Sequence, residues 1–280
     1  MDGITDKDIY QACHNMFVAN SLAVKACREI DPAAKMGVMC SFSSIATYPL
    51  NCHPDNAFGT LEFKRVSWFF TDVMCRGHYP GYIYRIWREK DCAPEMEPGD
   101  KELLAAYTND YIGFSYYRSA VYSKDVSMAA DTGGVQGVDN PFLTKSSPAP
   151  WSWPIDAKGF RYVCNELTDR YELPLFPVEN GIGLDEHPDE NGAIHDPDRC
   201  EYLADHVREM KEAIADGCDI MGYLWWGPID VVSAGTGEMK KRYGFIYVDR
   251  HNDGTGTLER SKKDSFEYYK KLIASNGEEL

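Results

Sequence analysis

The sequence predicts an α/β fold of parallel strands wrapped by helices, on three observations. Apolar runs of strand length alternate with longer stretches whose apolar residues recur at helical spacing. Gly, Pro and Asn punctuate the joins. Several of the short runs end on residues able to do chemistry: Ser41 and Ser43, Tyr116 and Tyr117, Glu179, and Trp225 and Trp226. The C-terminal strand ends of an α/β barrel hold its active site, so Glu179 in that place reads as chemical rather than as a turn residue.

Taken in order, residues 8–30 carry apolar side chains at helical spacing, with Asp6 or Asp8 as the cap. The small-residue run "KMGVMCSFSSIATYP" follows as a strand with a loop. A second helix covers about 57–75, breaks at Gly77 and Pro80, and a short helix resumes after them. Residues 111–117 form a strand, 159–171 a helix, and "LPLFPVEN" a strand ending at Glu179. Residues 198–217 form a long amphipathic helix and 219–226, "DIMGYLWW", a strand. A hairpin-like stretch from Tyr243 and a helix over "KKDSFEYYKKLIA" close the chain. The count is four barrel-type strands, in one domain spanning 1–280 without internal repeat or linker.

Composition narrows the function. With 44% apolar side chains, 280 residues can bury a sizeable core. No apolar run approaches the roughly 20 residues that span a bilayer, and Asp2, Asp6, Lys7 and Asp8 stand where a secretion signal needs an apolar segment. The nine cysteines are scattered without a C-x-x-C, so no disulfide framework or zinc knuckle is indicated and a reducing cytoplasm fits. A net charge of −15 argues against nucleic acid. It also means that an anionic ligand must be met by locally concentrated donors and cations, because the field of the whole molecule repels it.

Several chemistries find no support. There is no G-x-G-x-x-G after a strand and no G-x-x-x-x-G-K-[ST]; "GTGEMKK" only mimics one. The seven histidines lack ligand spacing, and His14 reads as a packed or solvent-edge residue. A G-x-S-x-G elbow is absent. What remains is a carboxylate flanked by Tyr116, Tyr117, Trp225 and Trp226. Such aromatics are commonly core, but four on strand ends beside a glutamate suit the stacking of a sugar ring.

Together "VENG", "FSYY", "YLWWGPID" and "KRYGFIYVD", with "FFTDVMCRGHYP" and "KKDSFEYYKKLI", resemble glycoside hydrolase family 1 and within it the 6-phospho-β-glucosidases. The resemblance runs from about residue 9 to the last helix. It implies a (β/α)8 TIM barrel, of which this chain is the C-terminal half with about four strands. Glu179 would be the nucleophile of a retaining hydrolysis that uses two carboxyls roughly 5 Å apart. Tyr117 would hydrogen-bond it and Trp226 would stack near the sugar. The second E-N-G, at Glu190, looks like a decoy in a polar loop.

The resemblance also answers the charge problem. Ordinary β-glucosidases carry a Glu that holds sugar hydroxyls after the eighth strand, where this chain reads Trp226, Asp230, Ser233, Ala234. A carboxylate there would repel a sugar phosphate, whereas a hydroxyl donates to it. Ser233, Lys241 and Tyr243 match the phosphate-binding positions of the phospho-branch. Ser115, where plain β-glucosidases usually carry Asn, is compatible with that branch. Ala234, where relatives preferring 6-phosphogalactosides tend to have Trp, favours the glucoside.

The family's acid/base is the Glu of an N-E pair at the end of the fourth strand, upstream of the helix resembling residues 9–30. The expectation is that this chain begins after it, as part of a longer enzyme, and that Asn165-Glu166 is a surface pair within a helix. The expected substrate is a phosphorylated β-glucoside hydrolysed to glucose 6-phosphate and an aglycone, with no metal and no organic cofactor. No membrane partner is expected, and the open barrel edges favour self-association. The alternative is a phosphosugar binder or inactive fragment without the acid/base.

Overall fold

The computed structural model describes residues 3–41, 45–125, 130–131, 136–137 and 140–280. Ser43 lies outside the described residues. Helix α1 (Asp6–Ile30) starts from Thr5, whose hydroxyl accepts from the Asp8 N–H while the Asp8 carboxylate accepts from the Thr5 N–H. Neither Asp6 nor Asp8 is the cap. Asp8 is the reciprocal partner three residues on, because the capping oxygen must come from the residue that precedes the first turn.

Strands β1 (Gly37–Ser41) and β2 (Thr47–Pro49) lead to α2 (Pro54–Arg76), followed by α3 (Gly81–Lys90) and α4 (Asp100–Ala106). Helix α2 stops at Gly77, φ 72°, where a Cβ would lie 2.8 Å from Ala105 Cα. Both the left-handed backbone and the close approach of α4 demand glycine. Sequence periodicity misses α4, which has only seven residues and one fully buried side chain, Leu104. Next come β3 (Tyr111–Ser115), β4 (Ala120–Tyr122), the two-residue β5 (Ala130–Asp131) and β6 (Gln136–Gly137), and α5 (Ala157–Tyr171). The chain ends with β7 (Leu175–Glu179), α6 (Pro197–Ala215), β8 (Ile246–Val248), β9 (Arg260–Lys262) and α7 (Asp264–Ala274).

Strands β1, β3 and β7 form a parallel sheet in that order, as the strand–helix alternation requires. Beyond β1 and β3 the same two chain paths pair again, parallel, as β2 and β4. Strands β8 and β9 form the antiparallel hairpin expected near the C-terminus. One core holds Phe17, Phe69 and Trp87 from α1 to α3 against Ile112 and Phe114 of β3 and Phe160 of α5. A second joins Ile182, Tyr202, Trp225, Phe245 and Leu272 around α6, α7 and the hairpin.

The expected fourth strand, 219–226, is a correction. It runs beside β7 but bridges it only at Leu175 and Ile220. Leu175 N donates to Asp219 O at 2.7 Å, and Met221 N donates to Leu175 O at 2.9 Å. The ladder then fails at Pro177, which has no N–H to give, and resumes out of step with Leu224 N on Pro177 O and Trp226 N on Asn180 O, both 2.9 Å. On its other side β7 shifts register against β3 between Phe114 and Ser115, so that Phe114 faces Pro177 and Ser115 faces Glu179. A bulge here places the Glu179 backbone level with the end of β3, the position where bulges commonly re-aim a side chain.

Among the described residues no helix is long and apolar enough to cross a membrane. All nine cysteines are free thiols. His14 is buried, with Nδ1 2.8 Å from Tyr79 Oη and Nε2 2.9 Å from Asp100 Oδ2, so it is a packed histidine.

Candidate active site

Glu179 is half-buried at the end of β7, and Tyr117 Oη donates to its Oε2 at 3.1 Å. Burial and the adjacent carboxylate push the Tyr117 hydroxyl well above the usual phenol range, so it stays a donor. The Tyr116 N–H fixes the Glu179 carbonyl at 2.9 Å. Tyr116 itself is core: it is fully buried and donates to Asp156 O.

The Asn-Gly after the glutamate is a junction. Asn180 is fully buried; its Nδ2 donates to Tyr116 O at 2.7 Å and to Tyr202 Oη at 3.0 Å, and its Oδ1 accepts from Tyr223 Oη at 2.6 Å. One side chain thus ties the end of β3, helix α6 and the 219–226 segment around Glu179. A Cβ on Gly181 would lie 2.4 Å from Trp226 O, a backbone atom, so this position admits only glycine. Gly183 carries the loop against Lys241 and Tyr243, where a Cβ would stand 2.9 Å from Lys241 Cγ and 3.0 Å from Tyr243 Cε2.

The loop therefore packs against Lys241 and Tyr243, the anion-binding candidates, and Tyr243 in turn meets Tyr117, the partner of Glu179. The rings of Tyr117 and Tyr243 meet edge to face at 6.4 Å. Lys241 is buried at 8% exposure, with its ammonium 5.1 Å from the Trp153 ring, 5.7 Å from Trp151 and 6.0 Å from Tyr243. Burial lowers its pKa, opposed by Glu238 and reinforced by Arg118. The other buried cations among the described residues each have a carboxylate within 4 Å: Lys64 has Glu166, Arg199 has Glu186 and Asp196, Arg242 has Asp230, and Lys263 has Glu186 and Asp230. Lys241 has none among the described residues. Desolvating an ammonium without an ion pair costs several kcal/mol by general estimates, which aromatic faces offset only in part.

Ser233 is buried at the start of a turn, its N–H on Glu238 O at 3.0 Å and its carbonyl accepting from Gly237 N at 2.8 Å. Neither its hydroxyl nor the Tyr243 hydroxyl makes a hydrogen bond to another described residue. Burial pushes the Tyr243 hydroxyl up to about 12, so it too remains protonated at neutral pH. Trp226 is only partly covered, at 37% exposure, on a cis peptide to Gly227. Its neighbour Trp225 is buried and donates from Nε1 to Tyr243 O at 2.9 Å, a structural role. Asp230 is likewise structural, accepting from Arg242, Lys263 and Gly244 N.

Glu190 is exposed in a turn organised by Asp189, whose Oδ1 accepts from Asn191 N and Ala193 N. Glu166 on α5 accepts from Lys64 and Tyr162, and no hydrogen bond among the described residues links it to Glu179. Sequence reasoning missed Trp151 and Trp153, the walls around Lys241; the spaced tryptophans of "PWSWP" were the available signal. Trp151 is held by Nε1 donating to Glu238 Oε2 at 2.8 Å.

Residues 3–278 match glycosyl hydrolase family 1. The aryl-phospho-beta-D-glucosidase BglH of Bacillus subtilis is 51% identical over 97% of this chain and 57% of its own length. The 6-phospho-beta-glucosidase of Clostridium longisporum is 48% identical over 99% of this chain and 59% of its own length. The family 1 b-glucosidase from Thermotoga maritima superposes with a TM-score of 0.80 at 25% identity, over 99% of this chain and 59% of that one. The chain thus spans under three fifths of these proteins, and its fold corresponds to the C-terminal half of a TIM barrel.

Proposed function

The chain belongs to glycosyl hydrolase family 1, and we propose that it carries the nucleophile and the phosphate-binding site of a retaining 6-phospho-β-glucosidase. Glu179 attacks the anomeric carbon as the bond to the aglycone oxygen breaks, and water later releases glucose 6-phosphate from the glycosyl–enzyme. Tyr117 holds the attacking carboxylate by the Oη–Oε2 hydrogen bond. On this reading the carboxyl that protonates the aglycone lies outside residues 1–280. Trp226 offers its exposed face to the sugar ring. Lys241 supplies charge to the 6-phosphate, and Ser233 and Tyr243 supply directed hydrogen bonds. Ala234 leaves space in keeping with a glucoside.

The observation that carries the proposal is Lys241, a buried ammonium without a carboxylate partner among the described residues, beside a tyrosine that touches the nucleophile's own partner. A dianionic phosphate completes that environment. The names of the relatives, aryl-phospho-beta-D-glucosidase and 6-phospho-beta-glucosidase, support the same substrate class. A second reading of the same residues is phosphosugar binding without turnover.

Calorimetric titration tests the site under either reading. Glucose 6-phosphate should bind the chain more tightly than glucose, and Lys241→Ala should weaken the phosphosugar by about 1.5–3 kcal/mol, the range of a charge-assisted bond, while leaving glucose nearly unchanged. Equal losses for both ligands would sink the phosphate assignment.

A further inference from the structure

The cations around the site do not all face the same way, and one of them spans it. Arg199 of α6 is fully buried and uses all five of its N–H donors. Its Nε donates to Asp196 Oδ2 at 2.8 Å; Nη1 donates to Ile182 O and to Tyr243 O, both at 2.9 Å; Nη2 donates to Glu186 Oε1 at 2.6 Å and to Arg242 O at 3.3 Å. Two of these acceptors lie on the segment that carries Lys241 and Tyr243. A third, Ile182 O, lies three residues after Glu179. The two segments also pair directly, Leu184 and Arg242 exchanging both backbone hydrogen bonds at 2.9 Å.

We propose that Arg199 is a positioning residue that fixes the span between Glu179 and Lys241, so that the site takes the reacting carbon and the phosphate of one sugar as a unit. The inference rests on the phosphosugar reading. Its physical basis is that a guanidinium is a rigid planar fork, so three backbone carbonyls held on one side chain cannot move apart independently. The surrounding charges reinforce this. Arg199, Arg242 and Lys263 are matched by Glu186, Asp196 and Asp230 in one buried network, which also keeps those carboxylates away from Lys241. A ligand bound at both ends gains from a fixed span as any bivalent ligand does, and loses that gain when the span wanders.

The test is titration of the 280-residue chain with glucose 6-phosphate and, separately, with inorganic phosphate, for the wild type and Arg199→Lys, with thermal melts to confirm folding. A lysine keeps the charge but cannot bridge the three carbonyls. Arg199→Lys should lose about tenfold or more in affinity for glucose 6-phosphate and less than about twofold for inorganic phosphate, since only the linked ligand senses the span. Glu186→Gln, which weakens the hold on Arg199 Nη2 without touching Lys241 or Tyr243, should show the same selective loss in smaller measure and serves if Arg199→Lys does not fold. Parallel losses for both ligands, or none, overturn the inference alone. A wild-type chain that binds neither ligand overturns the phosphosugar reading, and this inference falls with it.

Discussion

At Lys241 burial and charge pull in opposite directions, and the conflict defines what the site wants. The ammonium is buried among aromatic rings, and its pKa is displaced downward from 10.5. Phosphate needs the charged form, and a lysine is charged below its pKa. Affinity for inorganic phosphate should therefore decline with rising pH at lower pH than a solvent-exposed lysine would allow, and Lys241→Ala should abolish that decline; a titration series from pH 7 to 10.5 reads both. At Ser233 the same electrostatics predict that Ser233→Glu weakens glucose 6-phosphate by about tenfold or more while leaving glucose affinity unchanged or improved, because a carboxylate repels the dianion and accepts from sugar hydroxyls. Arg242 and Lys263, equally buried, carry no such expectation, since Asp230 and Glu186 already neutralise them.

At the scale of elements, what holds Glu179 is the join between β7, β3, α6 and the 219–226 segment. Asn180→Ala removes three buried hydrogen bonds and strands their partners, at a cost of about 3 kcal/mol, visible as a lowered urea midpoint. Helix α6 also carries His206, fully buried and stacked on Tyr202 at 3.9 Å, with burial lowering its pKa from 6.5 to about 4. The folded state keeps this imidazole neutral while the unfolded chain takes up a proton below 6.5. Stability from this group is present above pH 6.5, is lost as pH falls towards about 4, and levels off below, a total of about 3 kcal/mol. Urea melts at pH 7 and pH 4.5 should show a larger loss for the wild type than for His206→Phe. The strand-end position of "VENG" and its motif resemblance made Glu179 legible in sequence, and short apolar runs alternating with helical spacing revealed β3, β7 and the long helices. Segment 219–226 read as a strand because its composition is right; Pro177 on the neighbouring strand, which breaks the ladder, acts across 40-odd residues that no local pattern spans.

For the whole molecule, the β1–β3–β7 sheet has an unpaired side at β1 among the described residues. β1 pairs with β3 alone, and the backbone of segment 219–226 bonds only to β7 and Asn180 among the described residues. Met39, Met221 and Leu224 are about half exposed there, and an apolar cleft of about 600 Å³ opens between Val178, Leu224, Phe245 and Phe266. Such edges pair with other strands, so we expect concentration-dependent association by light scattering, reduced by Met39→Lys, against the opposition of a −15 charge. The half-barrel was legible from the strand–helix alternation and the motif resemblance. The network around Arg199 was not, because its members, from Glu186 to Lys263, are scattered in sequence and a buried ion pair leaves no periodic trace. The central claim, a nucleophile at Glu179 working with a phosphate site at Lys241, meets its most direct test in covalent labelling. Intact mass and peptide mapping after incubation with a dinitrophenyl 2-fluoro-6-phosphoglucoside, whose leaving group needs little acid assistance, should show one adduct on Glu179 that the unphosphorylated analogue does not form. No adduct under conditions that label a full-length relative, or equal labelling by both reagents, would contradict the account.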